Sequence, residues 1–421
     1  MSENIKEKAI LLSACLQKDS YEQKLKSLDE LERLADTAGI EVVGKFIQNR
    51  KGLNRTFYLG KGFLKEIVEN NEDFDLLIFD NELLPSQGRN ISKEFKVETI
   101  DRTEVILDIF HKHAQTYEAK LQIKLAELKY QLPRLKKLWS HLDRERGSSN
   151  SAGGGASRGM GEKQIEVDKR KIRFEIYKIG NLINKIVKQK DTQSKQREKI
   201  KRICLIGYTN AGKSTLFNYL TDADVLVEDK LFATLDSTVR SFNFEKGKEV
   251  VLSDTVGFIA NLPHNLVASF QATLTEVKEA DLLLQVVDIS DDSYEKQIKD
   301  VNIVLKEIKA ENITQLIVFN KIDQAELNIE IIDKLKTFYP RSVFISAKSG
   351  VGIDKMIEDM DEIVNISKHY RFFIPHSDQK AVNFFYKIGN VISKEFDENG
   401  IKLHVEMNKE DLYGYEKYIV E

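Results

Sequence analysis

Two glycines, a lysine and a serine in fixed spacing are the first residues of this 421-residue chain whose types could do chemistry. The run Gly207-Tyr208-Thr209-Asn210-Ala211-Gly212-Lys213-Ser214 follows an apolar stretch, Ile203 to Ile206, that reads as a buried strand. It precedes Thr215 to Leu220, which reads as the start of a helix. A glycine-rich turn between strand and helix aims backbone N–H groups at phosphate oxygens, and the positive end of the helix adds to the attraction. In that setting Lys213 reaches the β- and γ-phosphates of a nucleotide, and the Ser214 hydroxyl meets Mg²⁺. Asn210 offers an amide oxygen that either ligates K⁺ near the β–γ bridge or braces the turn by hydrogen bonding.

Three later motifs choose the base. Asp254-Thr255-Val256-Gly257 follows the apolar Val250-Val251-Leu252. Asp254 can hold the Mg²⁺ through water and the Gly257 N–H can touch the γ-phosphate, with glycine free to move when that phosphate leaves. Asn320-Lys321-Ile322-Asp323 ends the run Leu316 to Phe319. An Asp323 carboxylate can accept from guanine N1–H and the 2-amino group; adenine has neither donor and would leave the carboxylate unpaired. Ser346-Ala347-Lys348 follows Val343-Phe344-Ile345, and its N–H groups can bind guanine O6. All three lie where expected strands end, which is where open α/β sheets hold ligands. Each motif alone is weak; together and in order they point to GTP and GDP.

Between the phosphate turn and Asp254 lies Phe232-Ala233-Thr234-Leu235-Asp236-Ser237-Thr238. A switch loop needs one threonine with its hydroxyl on Mg²⁺ and its N–H on the γ-phosphate, and both Thr234 and Thr238 qualify. Many such enzymes carry a glutamine directly after the Gly257 position to orient the attacking water; here it is Phe258, which cannot hydrogen-bond water. Slow intrinsic hydrolysis is expected, with another residue or a bound partner completing the site.

The elements that must position these groups fit a chain of 41% apolar and 31% charged residues, long enough for two to four domains. No apolar run is long enough to span a bilayer, and the charged start MSENIKEKAI has no signal-peptide core. Cys15 and Cys204, the two cysteines, suggest neither a disulfide framework nor a metal cluster, so a cytoplasmic location is expected. The net charge of −3 hides an asymmetry: Lys112 to Arg202 holds about two dozen Lys and Arg against about ten Asp and Glu. A basic segment in an otherwise acidic protein implies a polyanionic partner.

That segment has its own pattern. Leu121, Leu125, Leu128, Leu132, Leu135 and Trp139 form one helical seam, interrupted at Pro133, where a kink is expected. Ile165, Ile172, Ile176, Ile179, Ile183 and Ile186 form a second. Two matched seams joined by one loop predict an antiparallel helical hairpin. Its tip, Asp143 to Lys163, holds the Gly/Ser-rich run Gly147 to Gly155, with Arg144, Arg146, Arg158 and Lys163 around it. These four are the candidate RNA-binding residues.

Residues 1–115 predict a separate α/β domain, with strands at Ala9 to Ala14, Ile40 to Phe46, Phe57 to Leu59, Leu76 to Asp80 and Val97 to Ile100. Helices are expected at Tyr21 to Ala38 and Lys61 to Asn70. Gly60-Lys61-Gly62 reads as a helix-entry turn. Residues 369–421 predict a strand near Phe372, a helix from Gln379 to Ile388, strands Val391 to Phe396 and Lys402 to Met407, and a last helix. The fold class is therefore multidomain α/β. A doubly wound P-loop GTPase sheet (200–368) follows the N-terminal domain (1–115) and the hairpin (116–199), and precedes a small α/β module (369–421).

Taken together the chain resembles the HflX family of ribosome-associated GTPases over nearly its whole length. The residues that carry the likeness are Asp101-Arg102-Thr103, the run Leu125 to Leu135, the Gly-rich tip, Gly161-Glu162-Lys163-Gln164-Ile165-Glu166, and Gly207 to Asn218. Phe232-Ala233-Thr234-Leu235-Asp236 matches the family's switch pattern, with Ser237 in place of its proline and Lys163 in place of a threonine at the tip. The resemblance selects Thr234 as the switch threonine, adds Thr215, Phe232 and Ala233 to the nucleotide contacts, and makes Phe258 a family habit. It implies a monomer that binds the large ribosomal subunit in the GTP state, with the hairpin tip reaching rRNA near the peptidyl-transferase centre. It further implies splitting of stalled or idle ribosomes under stress, with hydrolysis permitting release. The rival reading is a regulatory GTP switch that docks a protein or another RNA through the basic hairpin.

Overall fold

The computed structural model describes residues 6–71, 73–135, 156–195, 200–221, 231–232, 238–244, 249–259, 275–326, 328–364, 367–408, 412 and 414–420. The chain forms two compact units, the first holding Met1–Asn243 and Gly247–Gly350 and the second Phe244–Lys246 and Val351–Glu421.

The first layer of the first unit is a four-stranded parallel sheet of order β2-β1-β3-β4, from β1 (Lys8–Leu16), β2 (Glu41–Arg50), β3 (Leu76–Phe79) and β4 (Glu98–Asp101). The sequence of β1, KAILLSACL, is apolar almost throughout because both faces are covered. Ala9 and Leu11 face α1 (Tyr21–Ala38) and α4 (Arg102–His113). Ile10 and Leu12 face the opposite way, onto α2 (Lys61–Asn70) and α3 (Pro85–Phe95). Helix α1 buries Leu28, Leu31, Leu34, Ala35 and Ala38 at spacings of three and four. It stops at Gly39, whose left-handed backbone (φ 83°) lets its N–H reach back to the carbonyls of Ala35 and Asp36.

The expected strand Phe57 to Leu59 does not form. Asn54 closes a turn there, its side-chain oxygen accepting from the N–H of Thr56 (2.8 Å) and Phe57 (3.0 Å), and Tyr58 takes a positive φ of 63°. A local side-chain acceptor has outcompeted the ladder.

After α5 (Tyr117–Gln131) the chain tightens into a 3₁₀ turn, Leu132–Arg134, at the expected Pro133 break. The return helix α6 (Ala156–Lys195) has 40 residues, a length of about 60 Å. Leu121 and Leu125 pack with Ile176, Ile179, Ile183 and Val187, so Val187 takes the place expected of Ile186. Trp139 lies outside the described residues.

The second layer is a six-stranded sheet of order β10-β9-β8-β5-β7-β6, built from β5 (Lys201–Gly207), β6 (Thr238–Asn243), β7 (Glu249–Asp254), β8 (Leu282–Asp288), β9 (Thr314–Asn320) and β10 (Ser342–Phe344). All neighbours are parallel except β6, which runs antiparallel to β7. Central β5 therefore opens at its C-terminal end between the ends of β7 and β8, and helix α7 (Lys213–Thr221) starts directly above it. No helix among the described residues is long and apolar enough to cross a membrane.

In the second unit, β11 (Ser367–Pro375), β12 (Asn390–Asp397) and β13 (Gly400–Asn408) form an antiparallel sheet of order β11-β13-β12. Phe372, Ile374, Val382, Phe385, Leu403 and Val405 make its core. The expected last helix is replaced, among the described residues, by a 3₁₀ turn at Glu416–Tyr418. The reason is pairing: Ile419 bridges to Phe372, and the Val420 N–H donates to the Arg371 carbonyl at 2.8 Å, so the chain ends alongside the sheet.

Candidate active site

The loop from Gly207 to Gly212 is shaped by what surrounds it. Gly207 (φ 146°) and Gly212 (φ 91°) lie in backbone regions that favour glycine, and a Cβ at either would sit 2.2 Å from the Val286 carbonyl oxygen or the Asn320 amide nitrogen respectively. Asn210 also takes a positive φ, 61°, which asparagine tolerates better than most residues. The loop is stitched to the following motif: Phe258 N–H donates to Gly207 O (3.0 Å) and Thr209 N–H to Phe258 O (2.8 Å).

Lys213 Nζ folds back to donate to the carbonyls of Gly207 (3.1 Å) and Tyr208 (2.7 Å). The side chain is buried, and that burial pushes its ammonium down to about 8, against the pull of Asp254. Such a lysine is held ready to trade carbonyl partners for phosphate oxygens. Ser214 Oγ donates to Asp254 Oδ2 at 2.8 Å, and Asp254 is fully buried at the end of β7. Thr215 lies on the first turn of α7. Gly257 passes so close to Thr209 and Lys213 that a Cβ would meet the Thr209 Cα at 2.8 Å and Lys213 Nζ at 3.0 Å. Any side chain there would enter the phosphate site.

The base-selecting motifs converge on the same end of the sheet. Asn320, buried at the tip of β9, donates from Nδ2 to the Ala211 carbonyl and accepts at Oδ1 from the Ala347 N–H, both at 2.9 Å. It thus ties the phosphate loop to Ser346-Ala347-Lys348. Lys321, at φ 65°, pairs with Asp288 at 2.7 Å. Asp323 is exposed, and a hydrogen bond from Ser346 holds its carboxyl below the usual carboxylate range, with Lys348 and Lys321 contributing. A charged, acceptor-only carboxylate is what guanine's two donors require.

Phe258 points away from this chemistry. It is buried in a cluster with Cys204, Ile206, Val277 and Leu283, so it serves packing and leaves the water position to another group. Phe232 is described, and it is buried against Phe110 with ring centroids 4.7 Å apart. Ala233, Thr234, Ser237, Arg144 and Arg146 lie outside the described residues. Thr238 opens β6. Arg158 and Lys163, expected in the tip loop, fall within helix α6, their side chains outside the described set. The sequence reading missed Asn320 as a brace and gave no role to Glu30, Asp80 and Arg102, a buried charge cluster. Only the Asp101-Arg102-Thr103 run offered a signal for it.

A mostly parallel sheet whose central strand ends in this loop, with an aspartate, an asparagine-lysine pair and a guanine-reading aspartate at the neighbouring strand ends, defines a P-loop GTPase. Family models described as GTP-binding GTPase N-terminal, GTP-binding GTPase middle region and 50S ribosome-binding GTPase match residues 25–111, 113–197 and 202–321. The GTPase HflX of Caldanaerobacter subterraneus subsp. tengcongensis is 41% identical over 96% of this chain and 92% of its own. That of Escherichia coli K12 is 38% identical over 95% and 93%. A crystal structure of a GTP-binding protein from the hyperthermophilic archaeon Sulfolobus solfataricus in complex with GDP is 24% identical, covers 85% of this chain and 98% of that one, and gives a TM-score of 0.44. The chain belongs to the HflX family of GTPases: it binds guanine nucleotide and hydrolyses GTP to GDP and phosphate.

Proposed function

We propose that this GTPase binds the large ribosomal subunit in its GTP form, splits stalled or idle ribosomes, and is released by hydrolysis. The observation that carries the reading is helix α6, 40 residues long, with Arg170, Lys171, Arg173, Lys178, Lys185 and Lys188 exposed along it. A rod of this length joined to a nucleotide site suits a protein that must engage RNA phosphates far from its own chemistry. The match to the 50S ribosome-binding model and the HflX kinship support the same partner. Arg144, Arg146, Arg158 and Lys163 are the proposed rRNA contacts near the peptidyl-transferase centre, and the setting is cytoplasmic.

The donors beside the phosphate loop fit Mg²⁺: the Ser214 hydroxyl and the Asp254 carboxylate, both hard oxygen ligands, already converge. Ser214 and Thr234 would hold the ion directly and Asp254 through water; bound there, it neutralises charge on the β- and γ-phosphate oxygens. Lys213 shifts from loop carbonyls to the same phosphates, and Gly257 presents its N–H to the γ-phosphate. With Phe258 buried, no glutamine follows Gly257 to orient water, so turnover is slow until the ribosome completes the site. Asn210 is the proposed K⁺ ligand, and equal hydrolysis rates in K⁺ and Na⁺ would remove that role.

Light scattering of intact ribosomes mixed with the full-length protein tests the reading. Scattering should fall with GTP or a non-hydrolysable analogue and hold steady with GDP. Constant scattering in all three would refute splitting.

A further inference from the structure

The two edges of the sheet β11-β13-β12 differ. The β11 edge is occupied by Ile419 and Val420: Ile419 bridges to Phe372, and the Val420 N–H donates to the Arg371 carbonyl at 2.8 Å. The β12 edge has no such cover among the described residues. There β12 pairs with β13 alone, along its eight residues from Asn390 to Asp397. A strand with a free edge offers a row of backbone donors and acceptors to another extended chain. Its sequence, NVISKEFD, holds no proline to block that pairing.

The side chains along this edge are apolar where a solvated strand would be polar. Lys394 lies in register with Leu403, and Phe396 with Ile401. Leu403 and Ile401 are buried with Val382 and Phe385 of the helix Gln379–Ile388. Lys394 and Phe396 therefore stand on the helix side of the sheet, at its rim. Phe396 is 73% exposed, Tyr386 of the helix 51%, and Ile392, at the register shift of β12, 48%. The Lys394 ammonium lies 4.6 Å from the Phe396 ring centroid and 5.8 Å from that of Tyr386. Among the described residues it forms no ion pair. A free strand edge beside a helix, lined by aromatic carbon and carrying one cation, suits an added strand: the backbone supplies affinity and alternate side chains supply choice.

A second copy of β12 fits this edge poorly. In a two-fold antiparallel pair one residue faces itself, and directly opposed residues share a face. Centred on Lys394, such a pair opposes two ammonium groups; centred on Glu395, it opposes two carboxylates. We infer that the β12 edge is a docking site for an extended segment of another protein. That segment is apolar at alternate positions, with a carboxylate where it passes Lys394 and a basic or neutral residue opposite Glu395. It adds beside β12 and lays its apolar side chains on Ile392, Phe396 and Tyr386. None of these residues belongs to the nucleotide site.

Selection of a displayed library of random linear peptides on the full-length protein tests this, followed by hydrogen exchange with the synthetic peptides it yields. Enriched peptides should alternate apolar residues with a carboxylate on the apolar face, and they should slow amide exchange along Asn390–Asp397. Lys394→Glu should weaken them by about tenfold or more, and a fresh selection on that variant should enrich lysine or arginine in place of the carboxylate. Phe396→Ser should also weaken them. Both substitutions fall at exposed positions, so thermal unfolding and basal GTP hydrolysis should stay native. The absence of an enriched pattern, protection outside β12, or a carboxylate preference that survives Lys394→Glu would overturn the inference. Enrichment of the β12 sequence itself, with a concentration-dependent dimer in sedimentation, would overturn it in favour of a second copy.

Discussion

Asn320 and Ala211 are 109 residues apart in sequence and joined by a 2.9 Å hydrogen bond from the asparagine amide to the alanine carbonyl. The same side chain accepts from Ala347, so one buried amide holds the phosphate loop and the guanine-reading loop at a fixed separation. Asn320→Ala leaves a buried carbonyl and a buried N–H without partners, at about 1–3 kcal/mol each. GDP and GTP affinities should both fall by at least about tenfold, measured with a fluorescent GDP analogue. Unchanged affinity would mean that the two loops hold their spacing without it.

Gly212→Ala should be more severe. The added Cβ would sit 2.2 Å from Asn320 Nδ2, in a backbone conformation that already disfavours a side chain. Nucleotide binding by titration calorimetry should disappear while far-UV circular dichroism remains native.

The Lys213 ammonium, held down to about 8 by burial, gives nucleotide binding a pH dependence of known sign. Phosphate favours the charged form, so the bound state has the higher pKa and binding above pH 8 must take up a proton. GTP affinity should be flat from pH 6.5 to 7.5 and fall by about tenfold per unit above 8. Proton uptake should appear at pH 9 as a dependence of binding enthalpy on buffer ionisation. Affinity that stays constant to pH 9.5 would place the free lysine's pKa well above 8.

Phe258→Gln would put the glutamine of faster GTPases into a packed cluster of apolar residues. We expect no gain in single-turnover hydrolysis and a loss of about 3–5 kcal/mol of stability, the range for emptying a large aromatic site, with an amide's desolvation added. Denaturant titration beside the hydrolysis assay separates the two effects.

Asp323→Asn replaces an acceptor-only group with one that donates. Because the Asp323 carboxyl is exposed and held ionised by Ser346, its replacement should alter base choice with little effect on folding. Xanthosine diphosphate should displace GDP from the variant and fail to do so from the native protein.

Much of this was legible from local patterns. The apolar run Ala9 to Ala14 marked the strand that forms β1, and the helix expected over Tyr21 to Ala38 forms α1. The nucleotide motifs were readable because their roles belong to backbone turns that only particular residues permit, such as Gly207 and Gly212. What escaped was non-local. Nothing in the pattern around Glu30, Asp80 or Arg102 announces that three separated charges meet in one buried cluster. Phe57 to Leu59 has strand composition, yet Asn54 captured its backbone, and the C-terminal residues gave up a helical turn to pair with β11. Such outcomes depend on which distant partner a backbone finds.

The central claim is nucleotide-dependent engagement of the large ribosomal subunit, and co-sedimentation of the full-length protein with purified large subunits tests it most directly. The protein should pellet with subunits in a non-hydrolysable GTP analogue, lose that association as salt rises, and remain in the supernatant with GDP. Lys213→Ala should stay in the supernatant under both conditions. Equal pelleting in GDP and analogue, or none in either, would contradict the account.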